Sequence, residues 1–95
     1  MSESSLNNEP WREYIISGRV QGVGFRYFVM QSAARYGIKG RVKNLVNGKV
    51  RVRASGRNLE EFARSLQDGP RFARVDDIES IELSDSYEYE NFHLE

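Results

Sequence analysis

The 95-residue sequence contains no cysteine, two prolines and a single histidine. Without cysteine, the chain can form neither disulfides nor thiolate metal sites, and it cannot use a thiol nucleophile. A single imidazole, on His93, excludes a metal site built from several histidines. No apolar run approaches the roughly 20 residues of a membrane span, and no signal peptide is recognisable. These absences predict one small cytoplasmic domain without a thiolate or His-rich metal site and without a membrane span.

The formal net charge is zero, but the charges are unevenly distributed along the chain. Residues 1–75 contain all 14 Lys and Arg with only 6 acidic residues, whereas residues 76–95 contain 8 acidic residues and no Lys or Arg. Either the acidic segment folds back on the basic part, or the basic part faces an anionic ligand. The zero net charge argues against a general nucleic-acid or membrane binder.

Hydrophobic periodicity predicts strands and helices in the order β-α-β-β-α-β. Residues 1–9 are polar and predict a disordered tail, which leaves residues 10–95 as the folded domain. The strands are predicted at 11–20, 38–44, 50–54 and 75–83, the helices at 25–36 and between Asn58 and Gly69, and a short edge strand near Phe92 and Leu94. This order is typical of an α+β, ferredoxin-like α/β sandwich, with an antiparallel sheet of four or five strands and two helices on one face.

Two local details of these elements are also predicted. Asn58 and Glu61 have the spacing of a capping box at the start of the second helix. The last long strand is expected to be irregular near Ile78, where the alternation of apolar residues fails.

The predicted hairpin around Asn47-Gly48 alternates apolar and basic residues. Its basic positions share one strand face: Lys39, Arg41, Lys43, Lys49, Arg51 and Arg53. This basic face is a solvated surface paired with the acidic segment, a surface that steers an anionic substrate, or a nucleic-acid surface.

The stretch Gly22-Val23-Gly24 separates the first strand from the first helix. Glycine permits positive φ, and the N–H groups of residues 21–26 include unpaired donors of the first helical turn. Arg26 lies in that turn, where the helix dipole disfavours a cation by a few tenths to about 1 kcal/mol. A bound anion would reverse this effect, because the guanidinium and the N–H groups would both bind it. From the residues alone, the loop is either an anion site or a tight strand-to-helix turn.

Asn44 continues the apolar parity of the second predicted strand and is expected to face the covered side of the sheet. A buried amide without partners costs about 1–3 kcal/mol, so its side chain should bind backbone, water or ligand. The alternative is that Asn44 stabilises the turn at residues 45–48.

The segment from Gly18 to Arg26 resembles the signature of the acylphosphatase family, G-x-V-Q-G-V-G-F-R, without a mismatch. A second family-like segment comprises Gly40, Val42, Lys43, Asn44, Gly48, Val50 and Gly56. Gly69-Pro70 and Ala73-Arg74-Val75 also resemble the family, so the resemblance spans roughly residues 12–95. Arg41 departs from the pattern, since the family usually has an aromatic residue there.

This resemblance implies an enzyme that hydrolyses acyl phosphates, which are carboxyl–phosphate mixed anhydrides, to a carboxylate and inorganic phosphate without metal or cofactor. It implies that Arg26 and Asn44 are catalytic: Arg26 holds the phosphoryl group and Asn44 orients the attacking water. The implied substrate-binding residues are Gln21, Gly22, Val23, Gly24, Phe25 and Arg26. The implied partner is a small-molecule acyl phosphate, and the protein is expected to be a monomer that binds no nucleic acid.

Two other functions are compatible with this sequence. A ferredoxin-like binding module for RNA or protein would use the same fold without catalysis. Against RNA, the basic hairpin face lacks the aromatic residues on which such modules stack bases. Acylphosphatase-like domains also occur at the front of larger carbamoyl-transfer proteins, but 95 residues favour a free-standing enzyme.

Overall fold

A computed structural model of the protein describes residues 9–84 and 89–95. Its elements are β1 (Trp11–Arg19), α1 (Phe25–Tyr36), β2 (Lys39–Asn44), β3 (Val50–Ser55), α2 (Leu59–Asp68), β4 (Arg74–Leu83) and β5 (Phe92–Leu94). The predicted β-α-β-β-α-β order and the short final strand are confirmed, with bounds that differ by at most one residue. The tail predicted at residues 1–9 lies, as far as residue 8, outside the described residues.

The five strands form one sheet in the order β4-β1-β3-β2-β5. β1 is antiparallel to β3 and β4, and β2 is antiparallel to β3, but β5 runs parallel to β2. The sheet is therefore mixed, and the prediction of a purely antiparallel sheet is wrong for its edge strand. Eight residues connect the two edges, from β4 to β5. A connection of eight residues can span about 26 Å at most. This length is enough to cross four strand spacings, about 19 Å, at one end of the sheet, but it is not enough to run back along a strand as well. β5 therefore starts at the end of the sheet where β4 stops, and this direction is parallel to β2.

The core lies between the two helices and one face of the sheet. Phe25 and Val29 of α1 and Phe62 and Leu66 of α2 are fully buried. They pack in one cluster with the inward residues of the strands, which are Tyr14, Ile16, Val42, Val50, Val52 and Ala54. This arrangement confirms the predicted sandwich, with both apolar stripes on one face of the sheet. Neither of these two helices has the length and hydropathy needed to cross a bilayer.

The start of α2 differs from the predicted capping box. Asn58 is the N-cap residue, but within the described residues its side chain makes no capping hydrogen bond. Its Nδ2 instead donates to the carbonyl of Tyr36 at 3.3 Å, at the end of α1. The capping box with Glu61 is therefore wrong, because the asparagine side chain joins the two helices instead.

The opposite face of the sheet carries the basic hairpin face and part of the acidic segment. Arg41 Nη1 lies 3.0 Å from Glu95 Oε2, and its guanidinium lies 5.2 Å from the centroid of the Tyr89 ring. Arg53 Nε pairs instead with Glu13 Oε1 of β1 at 2.8 Å. The acidic segment thus neutralises Arg41, whereas Arg53 finds its partner on the neighbouring strand.

Candidate active site

Two glycines shape the loop between β1 and α1. Gly22 has φ +74° and Gly24 has φ +78°, both in the left-handed region. A Cβ at either position would meet no atom within 4 Å, so the backbone conformation, not space, requires glycine. Gly24 is the N-cap of α1, and its carbonyl accepts the first helical bond from Phe28 N–H at 3.0 Å. The N–H groups of residues 25–27 are therefore those that a helix leaves unpaired, at the positive end of its dipole.

The two helices carry opposite charges at their N-termini. The first turn of α2 contains Glu60 and Glu61, which complement the dipole. The first turn of α1, which the structure describes in full, contains no acidic residue and holds Arg26. Arg26 Nη1 donates to a main-chain oxygen of Glu95, just after β5. A guanidinium has five N–H donors, so this contact leaves donors for an anion.

Asn44, at the end of β2, lines the same pocket as Arg26. The pocket has a volume of about 190 Å³ and is lined by Val20, Gly22, Gly24, Phe25, Arg26, Tyr27, Asn44 and Leu94. The Oδ1 atom of Asn44 is buried and has no hydrogen-bond partner in the part of the chain that the structure describes. Because an unsatisfied buried acceptor costs about 1–3 kcal/mol, this atom should accept from a donor that enters the pocket.

The turn after Asn44 is closed without this Oδ1 atom. Leu45 N–H donates to the carbonyl of Lys49 at 2.8 Å, and Lys49 N–H donates to Asn47 Oδ1 at 3.0 Å. Of the two expectations for Asn44, the orientation toward the covered side therefore fits the structure better than a role in the turn.

The side chain of Gln21 joins the glycine loop to the β2–β3 hairpin. Its Nε2 donates to the carbonyls of Leu45, at 2.8 Å, and Lys49, at 2.9 Å. These bonds connect the loop that precedes Arg26 to the turn that follows Asn44. The side chain is therefore structural, and substrate binding by the Gln21 N–H stays a prediction.

A bulge in β4 lies opposite the end of β1, just before the loop. The register with β4 shifts between Ser17 and Gly18, so the predicted irregularity lies at Asp76 and not at Ile78. Gly18 has φ +128°, and a Cβ there would lie 2.1 Å from the carbonyl oxygen of Arg74. Beside it, Arg74 Nε donates to Asp76 Oδ1 at 2.9 Å, and this hydrogen bond lowers the pKa of the carboxyl. Only glycine allows β1 and β4 to approach this closely at the entry to the loop.

Most of the residues predicted from the sequence for the site come together in the pocket, but some do not. Gly22, Gly24, Phe25, Arg26 and Asn44 line it, whereas Gln21 and Val23 do not. Val23 packs against the core. The sequence reasoning missed three lining residues, which are Val20, Tyr27 and Leu94. An indication of Tyr27 was present, since it is an aromatic residue beside Arg26 that lies off the apolar stripe of α1.

The lining residues determine what chemistry the pocket can perform. Arg26 carries the only formal charge among those that the structure describes, and none of them is Asp, Glu, His, Cys or Lys. Residues 9–84 and 89–95 also contain no cluster of three or more His, Cys, Asp or Glu that could hold a metal ion. The pocket therefore offers an anion site and an amide, suited to positioning and charge stabilisation.

The comparisons with known proteins agree with this fold. The acylphosphatase family model matches residues 12–94. An acylphosphatase of Vibrio vulnificus is 43% identical over 84 residues, which are 86% of this chain and 92% of the relative. The crystal structure of acylphosphatase from Bacillus subtilis superposes with a TM-score of 0.85 at 36% identity, covering 90% of this chain and 97% of the other.

A larger protein contains a similar fold. HypF from T. kodakarensis matches with a TM-score of 0.80 at 31% identity, over 90% of this chain but only 12% of its own. The curated relatives are named acylphosphatase, which supports the hydrolysis of acyl phosphates. None of these comparisons supports the alternative function, a module that binds RNA or protein without catalysis. The chain belongs to the acylphosphatase family, and it hydrolyses small acyl phosphates to a carboxylate and inorganic phosphate.

Proposed function

We propose that the acyl phosphate is cleaved in the pocket between residues 21–26 and Asn44, with Arg26 on the phosphoryl group and Asn44 on the attacking water. The observation that carries this proposal is the Oδ1 atom of Asn44. It is buried without a partner among the described residues, in a pocket whose lining carries its only charge on Arg26. An acceptor and a cation in one small pocket fit a water molecule and an anion.

The phosphoryl group occupies the turn at the start of α1. Backbone N–H groups of residues 21–26 and the guanidinium of Arg26 donate to its oxygens, and the planar fork of arginine can bind two of them. Phosphoryl transfer depends mainly on positioning and on stabilising charge in the transition state. A cation that is unfavourable beside an empty helix N-terminus becomes favourable when a phosphoryl group lies between them.

Asn44 orients the water that attacks phosphorus. A water O–H donates to Oδ1, and the water oxygen forms a bond to phosphorus as the bond between phosphorus and the acyl oxygen breaks. The carboxylate departs with the electron pair, and the proton of the water passes to solvent or to the product phosphate. Carboxyl groups have pKa values of about 4, so the leaving group needs no general acid. The proposal accordingly includes no metal and no cofactor.

The test is phosphate release from acetyl phosphate and benzoyl phosphate in the presence of EDTA. Arg26→Gln and Asn44→Ala should each lower kcat at least about 100-fold, the effect of removing one transition-state hydrogen bond. Matched controls are Arg35→Gln, an exposed arginine in the last turn of the same helix, and Asn91→Ala, an exposed asparagine before β5. Both controls should keep wild-type kcat.

The fold of every variant is verified by circular dichroism and thermal denaturation. Undiminished turnover in a folded Arg26→Gln variant would refute the assignment of Arg26. Loss of wild-type activity on adding EDTA would refute the metal-free mechanism.

The assembly and location of the protein are part of the same proposal. We propose a cytoplasmic monomer that binds no nucleic acid, with residues 10–95 as its folded domain. The absence of nucleic-acid binding is supported by two ion pairs, Arg41 with Glu95 and Arg53 with Glu13. They reduce the free positive charge of the basic face. Light scattering should give the monomer mass, and filter binding at about 0.1 M salt should detect no RNA complex.

A further inference from the structure

Two exposed side chains with large apolar surfaces line the pocket beside the proposed phosphoryl site. Tyr27 of α1 is 64% exposed and Leu94 of β5 is 43% exposed, and both line the pocket beside Arg26 and Asn44. A single exposed apolar residue is common on protein surfaces, but two at the same pocket form a local apolar surface.

The exposure of these two side chains does not follow from weak packing of their elements. In α1, Phe25 is 1% exposed and Val29 is fully buried, so the helix is well seated on the sheet through its apolar stripe. Tyr27 lies off that stripe. In β5, Phe92 packs against the core, whereas Leu94, on the same strand face two residues later, lies at the pocket.

The shape of the substrate gives this surface a ligand. An acyl phosphate has a charged phosphoryl end and an acyl end. With the phosphoryl group on the glycine loop and Arg26, the acyl group must extend toward the mouth. In a pocket of about 190 Å³ whose phosphoryl end lies at Arg26, an acyl group larger than acetyl extends toward Tyr27 and Leu94.

We infer that Tyr27 and Leu94 bind the acyl group and make the enzyme selective for acyl phosphates with an aromatic or branched apolar acyl group. This inference rests on the proposed position of the phosphoryl group. A ring of the substrate stacks on or packs edge-to-face against Tyr27, and Leu94 covers its other side. The acyl group thereby covers apolar surface that water covers in the free enzyme.

The experiment compares kcat/KM for benzoyl phosphate with kcat/KM for acetyl phosphate. Tyr27→Ala and Leu94→Ala should each lower the benzoyl-to-acetyl ratio about three- to tenfold, the size expected for one aromatic or apolar contact. Because each ratio is divided by that of the wild type, the intrinsic reactivities of the two substrates cancel. Tyr27→Phe keeps the ring and should keep the wild-type ratio.

The matched control is Phe72→Ala. Phe72 is 72% exposed but does not line the pocket, so its removal should leave the ratio unchanged. An unchanged ratio in both Tyr27→Ala and Leu94→Ala would overturn the inference, as would an equal decrease in Phe72→Ala. Thermal denaturation shows that the variants are folded, and Tyr27→Ala alone decides the outcome if replacing Leu94 loosens β5.

Inhibition by inorganic phosphate separates this inference from the proposed function. The inhibition constant should stay within about twofold of wild type in Tyr27→Ala and should rise strongly in Arg26→Gln. If Arg26→Gln binds phosphate as wild type does, the proposed phosphoryl site is wrong. If Arg26→Gln loses phosphate binding but both Tyr27→Ala and Leu94→Ala keep the wild-type benzoyl-to-acetyl ratio, only the acyl contact is wrong.

Discussion

Replacing Gln21 with leucine tests whether the glycine loop and the hairpin are held together by one side chain. Gln21 Nε2 donates to the carbonyls of Leu45 and Lys49 at 2.8 and 2.9 Å. Leucine fills a similar volume but removes both donors. The loop and the hairpin would then lose the polar contact that fixes Arg26 relative to Asn44.

The loss of stability in Gln21→Leu follows from these two bonds. Each partly buried hydrogen bond contributes about 0.5–1.5 kcal/mol. Both acceptors keep a backbone donor, since Lys49 O accepts from Leu45 N–H and Leu45 O accepts from Gly48 N–H. No carbonyl is left unpaired, so we expect the lower part of the range, about 1–2 kcal/mol in total. For a domain of this size, that loss lowers Tm by about 4–16 °C.

The loss of activity in Gln21→Leu should exceed what unfolding explains. A misplacement of about 1 Å can cost 100-fold in rate, so kcat/KM at 25 °C should fall about 10- to 100-fold while the protein remains folded. Urea denaturation gives the stability, and phosphate release gives the activity. Gln31→Leu, an exposed glutamine of α1, is the control and should change neither. A Gln21→Leu variant within 0.5 kcal/mol of wild type and fully active would refute the reasoning.

Two further predictions concern backbone conformation and pH. In urea denaturation, Gly18→Ala should lower the free energy of unfolding by more than about 3 kcal/mol, because its Cβ would lie 2.1 Å from a carbonyl oxygen of β4. Gly22→Ala has open space and should lower it by only about 1–2 kcal/mol, the cost of a left-handed backbone conformation. Equal losses in the two variants would contradict this prediction. Burial raises the pKa of the Tyr14 hydroxyl above its usual 10.0. The neutral ring therefore stabilises the fold fully below pH 10, and this stability is lost as the pH rises through the higher folded value. Tyr14→Phe should flatten the alkaline decline in Tm, and Tyr27→Phe, at an exposed tyrosine, should not.

The fold could be predicted closely where a single physical rule decides the structure. The stripe from Phe25 to Tyr36 matches α1 residue for residue, because helical periodicity and the stop at Gly37 agree. Features that depend on distant partners were predicted wrongly. The side chain of Asn58 bonds to Tyr36 of the other helix. β5 is parallel to β2 because the connection from the opposite edge of the sheet is too short to return along a strand. Neither contact can be derived from local spacing.

The site could be predicted in its polar part and not in its apolar part. Arg26 is a cation in the first turn of a helix, and Asn44 is a polar residue at an apolar position of a strand. Both features are unusual in the sequence, and both residues line the pocket. Tyr27 and Leu94 show no such feature, since an exposed apolar residue is common on protein surfaces. The structural role of Gln21 was hidden for another reason: its acceptors lie 24 and 28 residues away.

Under the proposed mechanism, the two polar residues of the site reduce the stability of the free protein for reasons that disappear when substrate binds. Arg26 opposes the dipole of α1 and Asn44 leaves a buried acceptor unpaired among the described residues. In that mechanism, a phosphoryl group would reverse the first effect, and the attacking water would satisfy the second. The binding free energy at this pocket would then include the relief of both penalties. A helix with Glu at position 26 and a strand with Val at position 44 would fold more favourably, but they would leave nothing to attract the phosphoryl group or orient the water.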